Sequence, residues 1–358
     1  MEVQIINKED FKPSTITIVG SFNKSIDIRS LANWMPVKII YNNDGEREYL
    51  ISGSRKSIQY YGQEGTIVSM CYQKIRRGMR TGCMNNMLMA DIQYNRKNIH
   101  LKLSGTTITS VGTESFEDGI KVFELMTKHI NTLKTKLDFI NSVSEEDKNI
   151  SLKWLEENII KKDIKNINLL VSEIEKETEV NINKEFLKFC ALFLEDENRE
   201  NYLEKMKNLN NEIFICDDDL KCSNFTIYNS VYHISPIKEK NFRMPLHRLA
   251  PFLASKGVNV EYHNWSSEGV NICFDIEEKK NDLNHVEREY RHRFSIHETT
   301  KIRQCSPTKK EEAYVYYLGV INLLKEFFEH PDVDFKKYIS LDLDEKENIK
   351  ALKKIKNI

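Results

Sequence analysis

Basic side chains are concentrated in two stretches of the sequence where alternating apolar residues predict β-strands. Guanidinium and ammonium groups beside strands are suited to hold phosphates, because they combine positive charge with several hydrogen-bond donors. The first group is Lys74, Arg76, Arg77, Arg80, Arg96 and Lys97, and the second is Arg291, Arg293, Lys301 and Arg303. The same residue types are typical of solvated hairpin tips, so the sequence leaves a phosphate clamp and a solvated surface as alternatives.

No pattern typical of an active site accompanies these basic groups. The sequence contains no GxxxxGK[ST], GxGxxG, HExxH or GxSxG motif. Its 7 cysteines include no CxxC pair and no Cys/His set with zinc-ligand spacing. The acidic run at 217–219 is typical of a solvated loop. We therefore expect no enzymatic activity, no cofactor and no bound metal ion.

Two separated stretches share one order of predicted elements: a strand, a short helix, several strands and a long helix. In the first stretch the matching segments are Ile16–Val19, Ile26–Met35, Gln63–Val68, Ile99–Leu103, Thr106–Ile108 and a helix from about Glu114. In the second they are Phe225–Val231, Met244–Leu253, Ser267–Ile272, Phe294–His297, Thr300–Ile302 and a helix from about Lys309. Because several matches occur in the same order, we interpret the stretches as two copies of one unit.

Helical spacing of apolar residues between the two copies predicts an α-helical insertion. Ser144–Asp147 resembles a capping box. The insertion has two interpretations, a helical subdomain that packs on itself or on the back of the copies, and a docking module for a protein partner. The predicted domains are a first repeat (1–135), the insertion (136–221), a second repeat (222–335) and a charged tail (336–358).

Charge is unevenly distributed along the 358 residues, whose net charge is -1. Residues 1–135 hold 18 Lys+Arg against 13 Asp+Glu, whereas 136–221 hold 13 against 21. A basic first unit is a weak indication of nucleic-acid binding. Scattered cysteines, no apolar core of signal-peptide length and no membrane-spanning apolar run lead us to expect an intracellular protein.

The second stretch resembles TATA-box-binding proteins. Asn224–Asn229 is similar to the opening of that family's second repeat, and Arg248–Ala250 and Lys309–Phe327 resemble its first and last helices. In the first stretch, Thr17–Gly20 and Ser104–Glu117 resemble the family's strand, glycine turn and helix start. The resemblance covers roughly 13–135 and 223–330 and leaves out the insertion and the tail.

This resemblance implies an α+β fold: a pseudo-twofold saddle of two repeats, with a curved antiparallel sheet, helices on its convex side and the helical insertion added. It further implies binding to the minor groove of an AT-rich DNA duplex. Contacts with a transcription factor IIB-like protein or RNA polymerase are implied as well. The composition suggests a large-DNA-virus member, located in the nucleus or a cytoplasmic viral factory.

The positions that the resemblance assigns to DNA contact depart from the family's pattern. In that family, Phe side chains pry open base steps. The four corresponding positions here hold Gln63, Leu103, Ser267 and His297, and only Leu103 is an apolar wedge. Asn229 remains at one of two central asparagine positions, and Thr15 stands at the other. Asn229 is also interpretable as an ordinary sheet or turn residue, and His297 as a polar strand residue.

Two functions follow as hypotheses. The first is a transcription initiation factor that binds DNA with altered or weakened minor-groove recognition, through the wedge and asparagine positions together with Arg76, Arg77, Arg80, Arg293, Lys301 and Arg303. The second is a saddle that has lost DNA binding and serves as a protein scaffold in a viral transcription or replication assembly. The duplicated unit with basic flanks supports the first, which we favour on the family resemblance. The absent wedges, Glu64 and Glu268 beside the corner glycines and the acidic helical insertion support the second.

Overall fold

An antiparallel sheet with helices packed against it gives the computed structural model of this chain an α+β fold. The structure describes residues 3–38, 64–78, 84–161, 167–178, 182–194, 199–210, 213–237, 242–262, 269–275 and 291–331. Two compact units divide the chain. We call 18–226 the N-terminal unit, and 1–17 together with 227–358 the C-terminal unit.

The first fifteen elements run from the first strand through the helices of the insertion to β7 and α7. They are β1 (Thr15–Phe22), α1 (Ile28–Trp34), β2 (Ile67–Tyr72), β3 (Ile75–Gly78), β4 (Leu88–Tyr94), β5 (Lys97–Leu103), β6 (Thr107–Thr113), α2 (Phe116–Ser142), α3 (Glu145–Lys161), α4 (Ile167–Lys176), α5 (Lys184–Ala191), α6 (Arg199–Lys207), a 3-10 turn (Asn208–Asn210), β7 (Cys222–Ile234) and α7 (Leu246–Ser255). The remaining elements are β8 (Asn259–Glu261), β9 (Val270–Asp275), β10 (Arg291–Ile296), β11 (Ile302–Ser306) and α8 (Lys310–Phe328).

Hydrogen bonding orders the strands of the N-terminal unit as β3-β2-β4-β5-β6-β1 and those of the C-terminal unit as β7-β11-β10-β9-β8. Both β1 and β7 contribute residues to each unit. In the C-terminal unit, the Ser14 amide donates to the Val231 carbonyl at 2.7 Å. In the N-terminal unit, the Asn23 amide donates to the Lys221 carbonyl at 3.0 Å.

The predicted order of elements recurs in both halves of the chain. By place in the strand order, β1 corresponds to β7, β6 to β11 and β5 to β10, as the sequence predicts. The predicted match between Gln63–Val68 and Ser267–Ile272 is wrong. The strand β2, in which the first segment ends, is fifth in the strand order counted from β1, whereas β9, in which the second ends, is fourth counted from β7. The strand that matches β9 is β4, which the sequence comparison missed. The polar residues Asp91 and Gln93 of β4 are buried, so the burial along this strand does not alternate.

Local sequence explains where the main helices begin. The Asp27 carboxylate caps α1 by accepting from the amides of Arg29 (2.9 Å) and Ser30 (3.1 Å). The Ser115 hydroxyl caps α2 by accepting from the Asp118 amide at 3.0 Å. The predicted cap at the start of α3 is confirmed, because the Ser144 hydroxyl accepts from the Asp147 amide at 3.1 Å.

Close packing holds α2 against β1 in the N-terminal unit. Gly119 lies so near Ile18 that a Cβ atom added to it would overlap the Ile18 side chain. The helix then buries Val122, Phe123 and Met126 completely. It continues to Ser142, seven residues beyond the predicted end of the first repeat at residue 135.

Aromatic contacts attach the insertion to α1 within the N-terminal unit. The Trp34 ring meets Phe193 edge-on at 5.6 Å and lies 6.3 Å from Phe189. Phe189 and Phe193 contact each other at 5.3 Å. These contacts favour the interpretation of the insertion as a subdomain packed on the repeat. The predicted tail lies outside the described residues.

Cysteines and helix hydrophobicity add two observations on the described part of the chain. The six cysteines in it are free thiols. Among the same residues, none of the helices is both long and apolar enough to cross a bilayer.

An N-terminal segment, 3–14, belongs to the core of the C-terminal unit. Phe11 is 2% exposed and stacks on Tyr232 with ring centres 4.3 Å apart. The Ile6 amide donates to the Tyr317 hydroxyl at 2.8 Å, and the Tyr314 hydroxyl donates to the Ile6 carbonyl at 3.0 Å. The segment therefore secures α8 against β7.

Replacing Phe11 with alanine is expected to lower the free energy of unfolding by about 3–5 kcal/mol, because it removes a buried ring and leaves a cavity. Urea titration followed by circular dichroism measures the loss. Ile5→Ala in the same segment is the control, because Ile5 is 45% exposed. It should change the value by less than about 0.5 kcal/mol. Equal effects of the two variants would contradict this role of Phe11.

Candidate nucleic-acid interface

Alternation along the strands gives the C-terminal unit two chemically different faces. Tyr232, Phe294, Ile296 and Ile302 are buried in one core with residues of α7 and α8. The side chains between them in sequence point the other way, since successive strand residues alternate between faces. We call the face opposite the helices the outer face.

Polar side chains form a row across the outer face of the C-terminal unit. In strand order the row is His233, Arg303, Ser295, Asn271 and Glu261, each directly opposite the next. The Ser295 hydroxyl donates to the Asn271 side-chain oxygen at 2.6 Å. An adjacent row consists of Val231, Cys305, Arg293, Cys273 and Asn259.

The arginines of this face differ in whether a carboxylate lies close enough to form an ion pair with them. Arg293 lies 3.5 Å from the Glu261 carboxylate, and both side chains are about half exposed. Such an exposed pair is worth little in water and yields readily to a stronger anion. Arg303 is exposed and, within the described ranges, has no carboxylate at ion-pair distance. Arg291 adds a third guanidinium opposite Asp275.

In the N-terminal unit, the outer face is mostly uncharged. Between the buried Ile18 and Phe22 side chains of β1 lie Val19 and Ser21, and β6 adds Thr109 and Val111. A single row running from the sheet edge inward holds Arg76, Cys71, Met89, Lys102 and Thr109. Arg76 is exposed and Lys102 half-buried, so this row carries two positive charges.

The outer face of the N-terminal unit also holds one buried carboxylate. Asp91 is 3% exposed and accepts hydrogen bonds from the Ser69 hydroxyl and, at 3.3 Å, from the His100 ring nitrogen Nδ1. Asp91 therefore does not present an open negative charge at this face.

Four of the twelve predicted DNA-contact residues lie on outer-face positions: Thr15, Arg76, Arg293 and Arg303. Asn229 lies in β7 and is half-buried. Two more, His297 and Lys301, form the turn between β10 and β11, where the His297 amide donates to the Lys301 carbonyl at 2.9 Å. Gln63, Ser267 and Arg80 lie outside the described residues, as does Glu268. Whether the described positions bind DNA remains a prediction.

The prediction that Leu103 is a wedge is wrong, because its side chain faces the helices. Leu103 is completely buried and pairs with Leu88 and Ile108, which are also completely buried. Sequence alignment identified the strand but not its register, and a shift of one residue exchanges the two faces. The outward neighbour of Leu103 is Lys102.

The prediction that Arg77 binds phosphate is also wrong, because the guanidinium group closes the end of α1. Arg77 is 3% exposed and donates to the carbonyls of Ala32 (3.3 Å), Asn33 (3.2 Å) and Met35. Its guanidinium carbon also lies 5.1 Å from the centre of the Phe193 ring. A cation at a helix C-terminus satisfies carbonyls that have no partner within the helix.

His233 and Lys102 are outer-face residues that the sequence reasoning missed. Both are revealed by alternation once the buried neighbours Tyr232 and Leu103 are known. The alternation of apolar and polar residues along β5 and β7 is the signal that could have found them. In β5, for example, Lys102 lies between Leu101 and Leu103, which are both completely buried.

No protein-family model matches the chain, and no curated protein sequence does. Among solved structures, the chain is similar to "Methanococcus jannaschii TBP", at 10% sequence identity and a TM-score of 0.36, over 88% of this chain and 98% of that one.

The corrected role of Arg77 is testable against its neighbour. Arg77→Gln should reduce the free energy of unfolding by about 2–3 kcal/mol, because buried carbonyls lose a charged donor. Arg76→Gln removes the same charge from an exposed site of the same strand and should change stability by less than about 0.5 kcal/mol. Urea titration measures both. A stable Arg77→Gln protein with weakened DNA binding would contradict this role and support the prediction that Arg77 binds phosphate.

Proposed function

We propose that this protein binds duplex DNA through the outer faces of its strands, chiefly by holding phosphates, and that it acts as a transcription-factor-like protein. The observation that carries the proposal is Arg303, an exposed guanidinium on a flat row of hydrogen-bonding side chains with no carboxylate at ion-pair distance in the described part of the chain. Such a group is suited to bind a phosphate by two parallel hydrogen bonds.

Neighbouring side chains support the same use of this face. Arg293 lies two residues along β10 from Ser295, the residue opposite Arg303, and its partner Glu261 is half exposed and thus displaced at little cost. Ser295 adds a neutral hydroxyl near both arginines, and it donates to the side chain of the buried Asn271 on β9. The combination of fixed cations and small polar groups is typical of surfaces that position a nucleic-acid backbone.

The absence of an exposed wedge at Leu103 decides what kind of binding we propose. Unstacking a base step costs a few kcal/mol and needs an inserted apolar side chain to offset it. Leu103 is buried, and the position matched to it in the second copy is His297. We therefore propose binding with weak sequence preference and little bending, whose affinity falls steeply with salt. A role in initiation, a viral source and contacts with a transcription factor IIB-like protein rest on the sequence resemblance.

One observation favours the protein scaffold as a second candidate. Glu64 is exposed directly before Gly65, whose positive φ of 84° fixes the corner that leads into β2. A carboxylate there repels phosphate. A scaffold would retain its protein partners after nuclease treatment, whereas a DNA-binding protein would lose partners that DNA bridges.

Fluorescence anisotropy with a labelled 20-base-pair AT-rich duplex tests the proposed function. Wild-type protein should bind at low salt, and Arg303→Gln should weaken binding about tenfold, as expected for one charge-assisted hydrogen-bonding group. The logarithmic salt dependence should become shallower by about 0.9 for the lost phosphate contact.

Arg248→Gln is the matched control, because Arg248 is exposed on α7, on the helix side of the same unit. It removes the same charge and should leave both the affinity for the duplex and its salt dependence unchanged. Absence of wild-type binding to any AT-rich duplex at low salt would refute the proposal. Equal weakening by Arg248→Gln and Arg303→Gln would refute the assignment to the outer face.

A further inference from the structure

His233 lies directly opposite Arg303 on the outer face of the C-terminal unit. Both side chains are exposed. Directly opposed residues of neighbouring antiparallel strands have Cβ atoms about 4.5–5.5 Å apart, so the imidazole and the guanidinium are within reach of one shared anion.

Charged groups flank His233 on both sides. Arg303 lies on β11, and the segment before β1 carries the exposed Lys12 and the exposed carboxylate of Asp10, two and four residues from Ser14, whose amide donates to the carbonyl of Val231 on β7. Along the outer-face row the first carboxylate is Glu261 on β8, four strands from β7, or about 19 Å at the usual strand spacing. Arg293 stands between them and pairs with Glu261.

This arrangement couples protonation to anion binding. A phosphate held between His233 and Arg303 attracts both cations and accepts a hydrogen bond from each. Histidine is the side chain whose charge changes between pH 5 and pH 8, so this coupling acts near neutral pH.

We propose that His233 and Arg303 together bind one phosphate of the DNA backbone and that His233 takes up one proton as it does so. The inference rests on the proposed function. It adds a pH dependence, and it adds His233 as a second ligand of the phosphate that Arg303 binds. Because the bound state holds more protons than the free state, affinity rises as pH falls.

The test is a salt titration of duplex binding at pH 6.0 and pH 8.0, with the labelled 20-base-pair AT-rich duplex as probe. Wild-type protein should bind about three- to tenfold more tightly at pH 6.0. Its logarithmic salt dependence should be the same at both pH values, because His233 joins a phosphate that Arg303 already holds. His233→Gln should bind equally tightly at both pH values and match the wild type at pH 8.0.

His247→Gln is the matched control, because His247 is exposed on α7 of the same unit, on the helix side. It should retain the wild-type difference between the two pH values. Arg303→Lys keeps the charge and should retain the difference too, whereas Arg303→Gln should reduce it.

The possible failures are distinguishable. A wild-type protein that binds no duplex at either pH refutes the proposed function and the inference together. A wild-type protein that binds equally at both pH values refutes the inference alone. So does a His233→Gln variant that keeps the full pH difference.

Discussion

Packing of a long helix against one face of the strands is the constraint on which the candidate interface depends. In the C-terminal unit, α8 buries Tyr317, Val320 and Leu324 in the core that also holds Phe294 and Ile302. Because side chains alternate along a strand, a shift of one residue would place arginines under the helix. The exposure of Arg293 and Arg303 is therefore a direct consequence of the burial of their neighbours. The same constraint in the N-terminal unit turns Leu103 inward and Lys102 outward.

Much of the fold was predictable from the sequence, because strong local signals specify it. The alternation in β1, the cap at Ser144 and the long apolar stripe of α8 each identify an element without tertiary information. Register and side-chain partners were not predictable in the same way. Leu103 and Arg77 have the residue types of a wedge and a phosphate ligand, but their roles depend on which face of β5 and β3 meets a helix. In β4, apolar and polar residues alternate from Ala90 to Tyr94, but the burial of the polar side chains Asp91 and Gln93 depends on tertiary contacts.

The interface that remains after these corrections is better suited to phosphates than to bases. Arg303, Arg293 and His233 present donors with positive or titratable charge, while β1 and β6 present small β-branched side chains with no charge. Contacts to phosphate fix the position of a duplex but carry little sequence information. Deforming DNA would require contacts that offset its elastic cost, and the buried Leu103 supplies none.

Chemical footprinting of arginine in the unmodified protein gives the most direct test that the outer faces bind DNA. A dicarbonyl reagent would be applied with and without the AT-rich duplex at low salt, and modification read by mass spectrometry. Each unit has an internal reference, because Arg29 and Arg248 are exposed on helices α1 and α7. We expect the duplex to protect Arg76 and Arg303 and to leave Arg29 and Arg248 reactive. Protection of the helix-side arginines, or of none, would contradict binding through the outer faces.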